Sequence, residues 1–170
     1  MRTNINNIYA VGDVTGGPQL AHAASAQGIT AAHNCAGEER SMRDTVIPSC
    51  VYTNPEVASV GLTEKQSAEK GLDVRVGYFN VSSNGKCRIM DERDGFVKII
   101  AKKDTGEILG AHMMAPEASN MIAEICAVMR SEGTIDELAG TVHPHPTISE
   151  IVKEAAEDAF GLSCHRVYTA

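Results

Sequence analysis

Two histidine-proline pairs stand close together in the sequence Thr141-Val142-His143-Pro144-His145-Pro146-Thr147-Ile148-Ser149-Glu150. His143 and His145 each precede a proline, and a residue before proline is disfavoured in the helical region, so the segment is expected to run extended. From Thr147 onwards, apolar residues recur at intervals of three and four, which is typical of one face of an amphipathic helix. These apolar residues are Ile148, Ile151, Val152, Ala155, Ala156, Ala159 and Phe160. The pattern therefore predicts an imidazole held just before a helix begins.

Glu150 has two interpretations, which do not exclude each other. Residues 147–150 have the spacing of a capping box, in which the Thr147 hydroxyl caps the helix and the glutamate accepts a hydrogen bond from a free backbone N–H. Alternatively, the carboxylate accepts a hydrogen bond from one nitrogen of His145, which fixes the tautomer and makes the other nitrogen a better base.

The pattern His-x-His-Pro-Thr-x-Ser-Glu at residues 143–150 resembles the active-site segment of the dihydrolipoamide dehydrogenase family. These are the flavoproteins of the 2-oxo acid dehydrogenase and glycine cleavage complexes. The resemblance implies that His145 is the acid/base beside a redox disulfide and that Glu150 orients it. It also implies a cis bond between His145 and Pro146, as in related flavoprotein disulfide reductases.

The same resemblance implies partners and cofactors. It implies FAD and NAD as cofactors, a homodimer in which each active site is shared between subunits, and the lipoyl domains of those complexes as partners. Glutathione reductases carry a similar His-Pro-Thr without the upstream histidine, and mercuric reductases lack the histidine, so the segment favours the lipoamide branch.

Size and charge limit what the chain can contain. A chain of 170 residues can bury one good core, but it is too short for flavin binding, nicotinamide binding and a catalytic interface together. Its 15 basic and 22 acidic residues give a net charge of −7, which disfavours polyanionic partners such as nucleic acid. No apolar stretch approaches the ~20 residues of a membrane span, and no signal-peptide pattern opens the chain. We therefore predict neither a nucleic-acid partner nor a membrane partner.

Five cysteines lie far apart, without the close spacing of a redox dithiol or zinc site. Their odd number and the missing signal peptide predict free thiols in a reducing cytoplasm. The dihydrolipoamide dehydrogenases work through two cysteines separated by four residues, and this chain has no such pair. We therefore expect the chain by itself to be inactive.

The amino-terminal residues predict a strand, a turn and a helix. Residues 8–11 are predicted to form a strand that stops at Gly12-Asp13, a pair that is frequent in turns. After a glycine-rich break, the alanine-rich residues 20–36 are predicted to form a helix. The amino terminus of such a helix offers N–H groups and a positive dipole end to an electron-rich carbonyl or an anion.

This arrangement resembles the second flavin-binding motif of the same family. The resemblance implies that Asp13 binds the ribityl chain of FAD and that the backbone of Leu20, Ala21 and His22 lies under the pyrimidine edge of the flavin. A structural role is the alternative for the His22 side chain. No Gly-x-Gly-x-x-Gly follows a strand, so the FAD site is incomplete, and we expect weak or no FAD binding by this chain. The chain looks like the carboxyl-terminal third of a larger enzyme.

The remaining residues predict an α+β fold, an antiparallel sheet of about five strands flanked by helices. The charged residues 37–44 are expected to link a FAD-domain remnant at 1–42 to an interface domain at 43–170. Strands are predicted at 47–53, 57–61, 74–81, 95–102 and 108–114, and turns at 82–85 and 103–106. Helices are predicted from Thr63, at 117–131 and at 134–138. The helix at 117–131 is apolar on more than one face, which favours a second contact across a homodimer interface.

Three other functions stay open. A glutathione- or trypanothione-like reductase would share the fold, and a dimerisation module without catalysis would explain the missing cysteine pair. Alternating histidines on an extended segment can chelate a metal, but no carboxylate or cysteine lies at a usual ligand spacing from His143 and His145. We therefore predict no metal site.

Overall fold

The computed structural model describes residues 1–43 and 45–166. Asp44, at the end of the predicted linker, and the last four residues of the predicted interface domain lie outside the described residues. The chain divides into two units, Met1–Ile47 and Pro48–Ala170. The identity of these units as a FAD-domain remnant and an interface domain stays a prediction.

The first unit contains a short 3-10 helix, Asp13–Thr15, and the helix α1, Ala21–Cys35. Helix α1 was predicted over 20–36, and Leu20 and Ala36 are its cap residues. The predicted strand at 8–11 is wrong. Tyr9 forms only an isolated antiparallel bridge with Arg2, and a strand needs a neighbour along its length to satisfy its backbone groups.

The second unit is built on a five-stranded antiparallel sheet, which confirms the predicted fold class. Its strands are β1 (Ser49–Val51), β2 (Glu56–Gly61), β3 (Val74–Asn80), β4 (Phe96–Lys102) and β5 (Ile108–Ala115). Their order across the sheet is β1-β2-β5-β4-β3. The turn at 103–106 joins β4 to β5, with Ile99 opposite Ala111. Both of these residues are fully buried, so the hairpin lies at the centre of the core.

Five helices complete this unit. They are α2 (Glu64–Glu69), α3 (Gly85–Ile89), α4 (Ala118–Arg130), α5 (Ile135–Gly140) and α6 (Glu150–Asp158). Capping boxes begin α2 at Thr63 and α5 at Thr134, because each threonine stands three residues before a side chain that reaches back to its N–H.

Helix α3 was not predicted, and it shares only Gly85 with the predicted turn at 82–85. The segment at 82–85 instead joins a 3-10 helix, Val81–Ser83, to α3. The Asn84 side chain accepts a hydrogen bond from Cys87 N at 2.9 Å. Asparagine suits both turns and helix caps, and here the cap prevails.

Helix α6 packs on strands β3 and β4 and against α5. It buries the apolar face that the sequence predicted, including Ile151, Val152 and Ala155. Gly77 of β3 allows a close approach, because a Cβ atom there would stand 1.8 Å from Ala155 O. The sheet therefore fixes the helix that follows residues 141–149, the His-Pro segment.

Helix α4 packs on β1, β2 and β5.

All five cysteines are free. Within the described part of the chain, no helix combines the length and apolarity that crossing a membrane requires.

Candidate active site

The His-Pro segment, residues 141–149, joins α5 to α6 without regular structure, and it bends at His145 and Pro146, where the prolines predicted an extended run. The His145–Pro146 peptide bond is cis. Nδ1 of His145 lies 2.9 Å from Glu150 Oε1, and the His145 side chain is 75% exposed. Because an ionised carboxylate only accepts hydrogen bonds, Nδ1 carries the proton and Nε2 is left as an acceptor. Among the described residues, nothing bonds to Nε2.

The two oxygens of Glu150 accept different hydrogen bonds. Oε1 accepts from His145, and Oε2 accepts from Thr147 N at 2.8 Å. Half of the predicted capping box is therefore present beside the histidine contact.

The other half of that capping box is absent. The Thr147 hydroxyl donates to Pro144 O at 2.7 Å instead of capping the helix. Helix α6 begins at Glu150, not at Thr147, and Ser149 is its cap residue without a side-chain cap bond. The predicted start is wrong because the threonine hydroxyl bonds back into the His-Pro segment.

The environment of Glu150 favours its ionised form. Burial by itself would raise the pKa of this carboxyl, but the Thr147 N–H and the His145 imidazole outweigh it and lower the pKa below its ordinary value of 4.5. A carboxylate at neutral pH can hold the His145 ring in one tautomer and orientation.

His145 and Glu150 line an open cavity of about 350 Å³. Phe79 of β3 and Arg88 of α3 also line it. Asn84 in the same wall donates from Nδ2 to Thr147 O at 3.1 Å, which ties the start of α3 to the His-Pro segment.

A second histidine and a second glutamate line this cavity, and the sequence analysis missed both. Nδ1 of His165 lies 2.5 Å from Glu154 Oε1. The i, i+4 spacing of Glu150 and Glu154 on one helix face was a signal for Glu154. His165 gave no such signal, because it stands beyond the end of α6.

His143 lies apart from this cavity. Its side chain is only 5% exposed, with Nε2 3.0 Å from Glu124 Oε1 and Nδ1 3.2 Å from Thr141 O. The Nε2 contact holds the segment to α4, and the Nδ1 contact lies within the segment itself. In the part of the chain that the structure describes, no group of three or more histidine, cysteine, aspartate or glutamate side chains is arranged to hold a metal ion.

The four predicted cofactor-binding residues lie in the Met1–Ile47 unit. Asp13 is exposed at the start of the 3-10 helix. Gly12 N donates to Gln27 Oε1 at 2.6 Å, which ties this turn to α1. The exposed carboxylate of Asp13 could accept hydrogen bonds from hydroxyl groups.

Leu20, Ala21 and His22 form the start of α1. Leu20 caps the helix without a side-chain hydrogen bond, since leucine has no acceptor. The backbone N–H groups of this first turn could therefore donate to an electron-rich carbonyl or an anion. Together with Asp13, they fit a cofactor that carries hydroxyl and carbonyl groups.

Two family descriptions match the chain. "Pyridine nucleotide-disulphide oxidoreductase, dimerisation domain" matches residues 47–156, and "Pyridine nucleotide-disulphide oxidoreductase" matches residues 1–28. Curated relatives described as dihydrolipoyl dehydrogenase include proteins of Rhizobium etli and Halobacterium salinarum, 46% and 42% identical to this chain. The match covers 94% and 96% of this chain, respectively. The chain spans about a third of the length of these relatives, 34% and 35%.

Solved structures agree with these matches. LpdA from Mycobacterium tuberculosis has a TM-score of 0.83 at 33% identity, covering 92% of this chain and 34% of that one. The HOCl-induced flavoprotein disulfide reductase RclA from Escherichia coli has a TM-score of 0.83 at 30% identity, covering 89% of this chain and 35% of that one. The chain belongs to the pyridine nucleotide-disulphide oxidoreductase family, and its residues 47–156 match the dimerisation domain of that family.

Proposed function

We propose that this chain is the carboxyl-terminal, dimerising portion of a dihydrolipoyl dehydrogenase. The whole enzyme would oxidise protein-bound dihydrolipoamide through a redox disulfide and FAD, with NAD as the acceptor. The observation that carries the proposal is the bond of 2.9 Å between His145 Nδ1 and Glu150 Oε1, beside an exposed ring nitrogen on a cavity.

His145 is proposed as the acid/base. Only a thiolate is nucleophilic towards a disulfide, so a dihydrolipoyl thiol must first lose its proton. Nε2 of His145 is the acceptor for that proton, because Nδ1 is held by Glu150. An imidazole suits this transfer because its ordinary pKa lies close to neutral pH.

Glu150 is proposed as the positioning residue of His145. Its carboxylate fixes the orientation of the ring and stabilises the imidazolium that forms after proton transfer. The second bond of this carboxylate, from Thr147 N, keeps Glu150 in place while the ring changes charge.

FAD and NAD are proposed as cofactors of the whole enzyme. Asp13 and the backbone of Leu20, Ala21 and His22 would hold part of the FAD, and we expect the isolated chain to bind it weakly or not at all. When bound, FAD would supply the electron transfer between the redox disulfide and NAD.

The proposed partners follow from the same assignment. In the whole enzyme, a second subunit would complete each active site with its redox disulfide and FAD, and lipoyl domains of 2-oxo acid dehydrogenase or glycine cleavage complexes would deliver the substrate. Location in the cytoplasm stays a prediction from the sequence.

The test uses the full-length flavoprotein that we propose to contain this segment. His145→Gln should lower the rate of flavin reduction by dihydrolipoamide about 10²–10⁴-fold, the usual contribution of a general acid/base. Glu150→Gln should lower the same rate by less and leave thermal melting close to that of the wild type. Stopped-flow absorbance measures the rate, and circular dichroism measures melting.

Two results would change these assignments. Glutamine can still accept the hydrogen bond from Thr147 N, so a Glu150→Gln enzyme with the wild-type rate would leave Glu150 only the role of bonding to Thr147 N. A His145→Gln enzyme that reduces its flavin at the wild-type rate would contradict the proposed function itself.

A further inference from the structure

Glu154 and His165 form a second carboxylate–imidazole pair. Glu154 is only 8% exposed. Its Oε2 accepts a hydrogen bond from Ser163 Oγ at 2.6 Å, and its Oε1 lies 2.5 Å from His165 Nδ1. The His165 side chain is 70% exposed. A buried, fully bonded carboxylate thus holds an exposed ring by one nitrogen, as Glu150 holds His145.

The two pairs face the same cavity. Glu150 and Glu154 stand one turn apart on α6, so both carboxylates lie on one face of the helix. The cavity of about 350 Å³ that both pairs line is at the small end of ligand pockets, so one small ligand would contact both rings.

The carboxylate of Glu154 affects the charge of the His165 ring. The pKa of His165 is raised above its ordinary value of 6.5, first by the hydrogen bond to Glu154 and then by the charge of that carboxylate. The bond to Glu154 and the charge of its carboxylate therefore favour the cationic form of the His165 ring. The charge of His165 in turn helps to lower the pKa of Glu150, so the two pairs are close enough to affect each other.

Charged groups of both signs surround the His165 ring. Arg166, the next residue in the chain, pairs with the buried Asp158 of α6. Arg88 adds a second positive charge to the cavity wall, and its Nε donates to Ser82 O at 2.6 Å. The ionisable groups that face His165 are Glu150, Glu154 and Glu157 of α6, Arg88 of α3, and His145 of the His-Pro segment.

We propose that His165, held by Glu154, is a substrate-contacting residue whose charged ring stabilises the thiolate that forms when a bound thiol gives its proton to His145. The S–H bond breaks, the proton moves to Nε2 of His145, and the electron pair stays on sulfur beside the His165 cation. A neighbouring cation makes a thiol ionise more easily. The inference rests on the proposed function and adds a second imidazole, with Glu154 as its positioning residue.

The first experiment measures flavin reduction by dihydrolipoamide from pH 5.5 to 9 in the full-length enzyme. His165→Gln should lower the rate about tenfold near pH 6.5, because a rise of about one unit in the thiol pKa lowers the thiolate fraction by that factor. The loss should shrink at high pH, where the thiol ionises without help. His165→Lys should recover most of the rate, because lysine restores the positive charge.

A matched control is His33→Gln in the first unit. His33 also pairs with a glutamate, with Nδ1 3.0 Å from Glu38 Oε2, but it does not line this cavity. We expect its pH profile to match that of the wild type. A pH-independent loss in His165→Gln, or no loss, would overturn the inference.

The second experiment uses the 170-residue chain. Dihydrolipoamide is added to chain with ¹⁵N-labelled histidine, and the resonances are assigned from the single variants. The resonances of His145 and His165 should shift with the same saturation curve, while the resonance of His33 should not shift. A His165 resonance that does not shift on addition of dihydrolipoamide would overturn the inference.

The results separate the two proposals. If His145→Gln slows the enzyme and His165→Gln does not, the proposed function stands and this inference fails. If His145→Gln leaves the rate unchanged, the proposed function fails and the inference falls with it.

Discussion

Each oxygen of the Glu150 carboxylate accepts a separate hydrogen bond, so the bond to the backbone of Thr147 and the bond to His145 do not compete. The bond from Thr147 N fixes the carboxylate against the backbone, and the other oxygen then meets His145 with little freedom. Such pre-organisation matters because a loosely held base loses part of its orientation at each encounter with substrate.

At the same scale, the Glu154–His165 pair should make the stability of the chain depend on pH. Burial would raise the pKa of Glu154, but its bonds with Ser163 and His165 lower it below 4.5. The ionised Glu154 carboxylate therefore stabilises the fold fully above pH 4.5, and this stabilisation is lost as the pH falls through the lowered pKa. The pKa of His165 is raised above 6.5, so the protonated ring stabilises the fold fully below pH 6.5. This stabilisation is lost as the pH rises through the raised pKa.

We therefore expect Glu154→Gln to cost the most stability between about pH 4.5 and 6.5. The cost there should be about 2 kcal/mol, as for a hydrogen bond to a charged group. Urea unfolding of the chain at pH 3, 5.5 and 9 measures it. A difference between variant and wild type that stays constant over this range would contradict the prediction.

At the scale of the elements, the position of α6 depends on a glycine in the strand below it. A Cβ atom at Gly77 would lie 1.8 Å from Ala155 O and 3.0 Å from Ala159 N, both backbone atoms that cannot turn aside. The same helix carries Glu150 and Glu154, so the packing of β3 against α6 sets the height of both carboxylates above the sheet.

Gly77→Ala should therefore destabilise the chain by about 3 kcal/mol, at the upper end of the usual cost of overpacking. It should also change the ¹⁵N resonances of His145 and His165, because α6 must move. Gly85→Ala is the matched control, since its Cβ would meet no atom within 4 Å. Urea unfolding gives the free energies, and equal stability of the two variants would refute the close-packing argument.

At the scale of the whole molecule, we predict a homodimer formed in part by α4. One side of this helix is buried on the sheet through Met121, Ile122 and Ile125. Cys126 and Met129 are only half-buried, so a second apolar side is available to a partner. The family description of residues 47–156 as a dimerisation domain supports the same expectation.

Light scattering of the chain at micromolar concentration should give twice the mass of one chain. Met129→Glu should lower the mass towards that of the monomer, because a charge in an apolar interface is costly. Ala68→Glu on the exposed side of α2 adds the same charge and should leave the mass unchanged. A wild-type mass of one chain would reject the predicted dimer.

The sequence by itself determined the elements whose cause is local. The prolines predicted that no helix forms before residue 147, and β-branched runs with turn residues between them predicted the five strands. Capping residues began α2 and α5, and apolar spacing defined the buried faces of α4 and α6. These features depend on residues within about four positions of one another, which a sequence pattern can reveal.

The tertiary structure alone decided the features that join distant residues. Residues 8–11 form no strand, because a strand is defined by its neighbour and Tyr9 meets only Arg2. The pairing of Glu154 with His165 depends on how the chain turns back after α6, and His143 meets Glu124 only because the His-Pro segment passes beside α4. Side-chain hydrogen bonds require contact within about 3 Å, and spacing along the chain does not set that distance once a turn or another element intervenes.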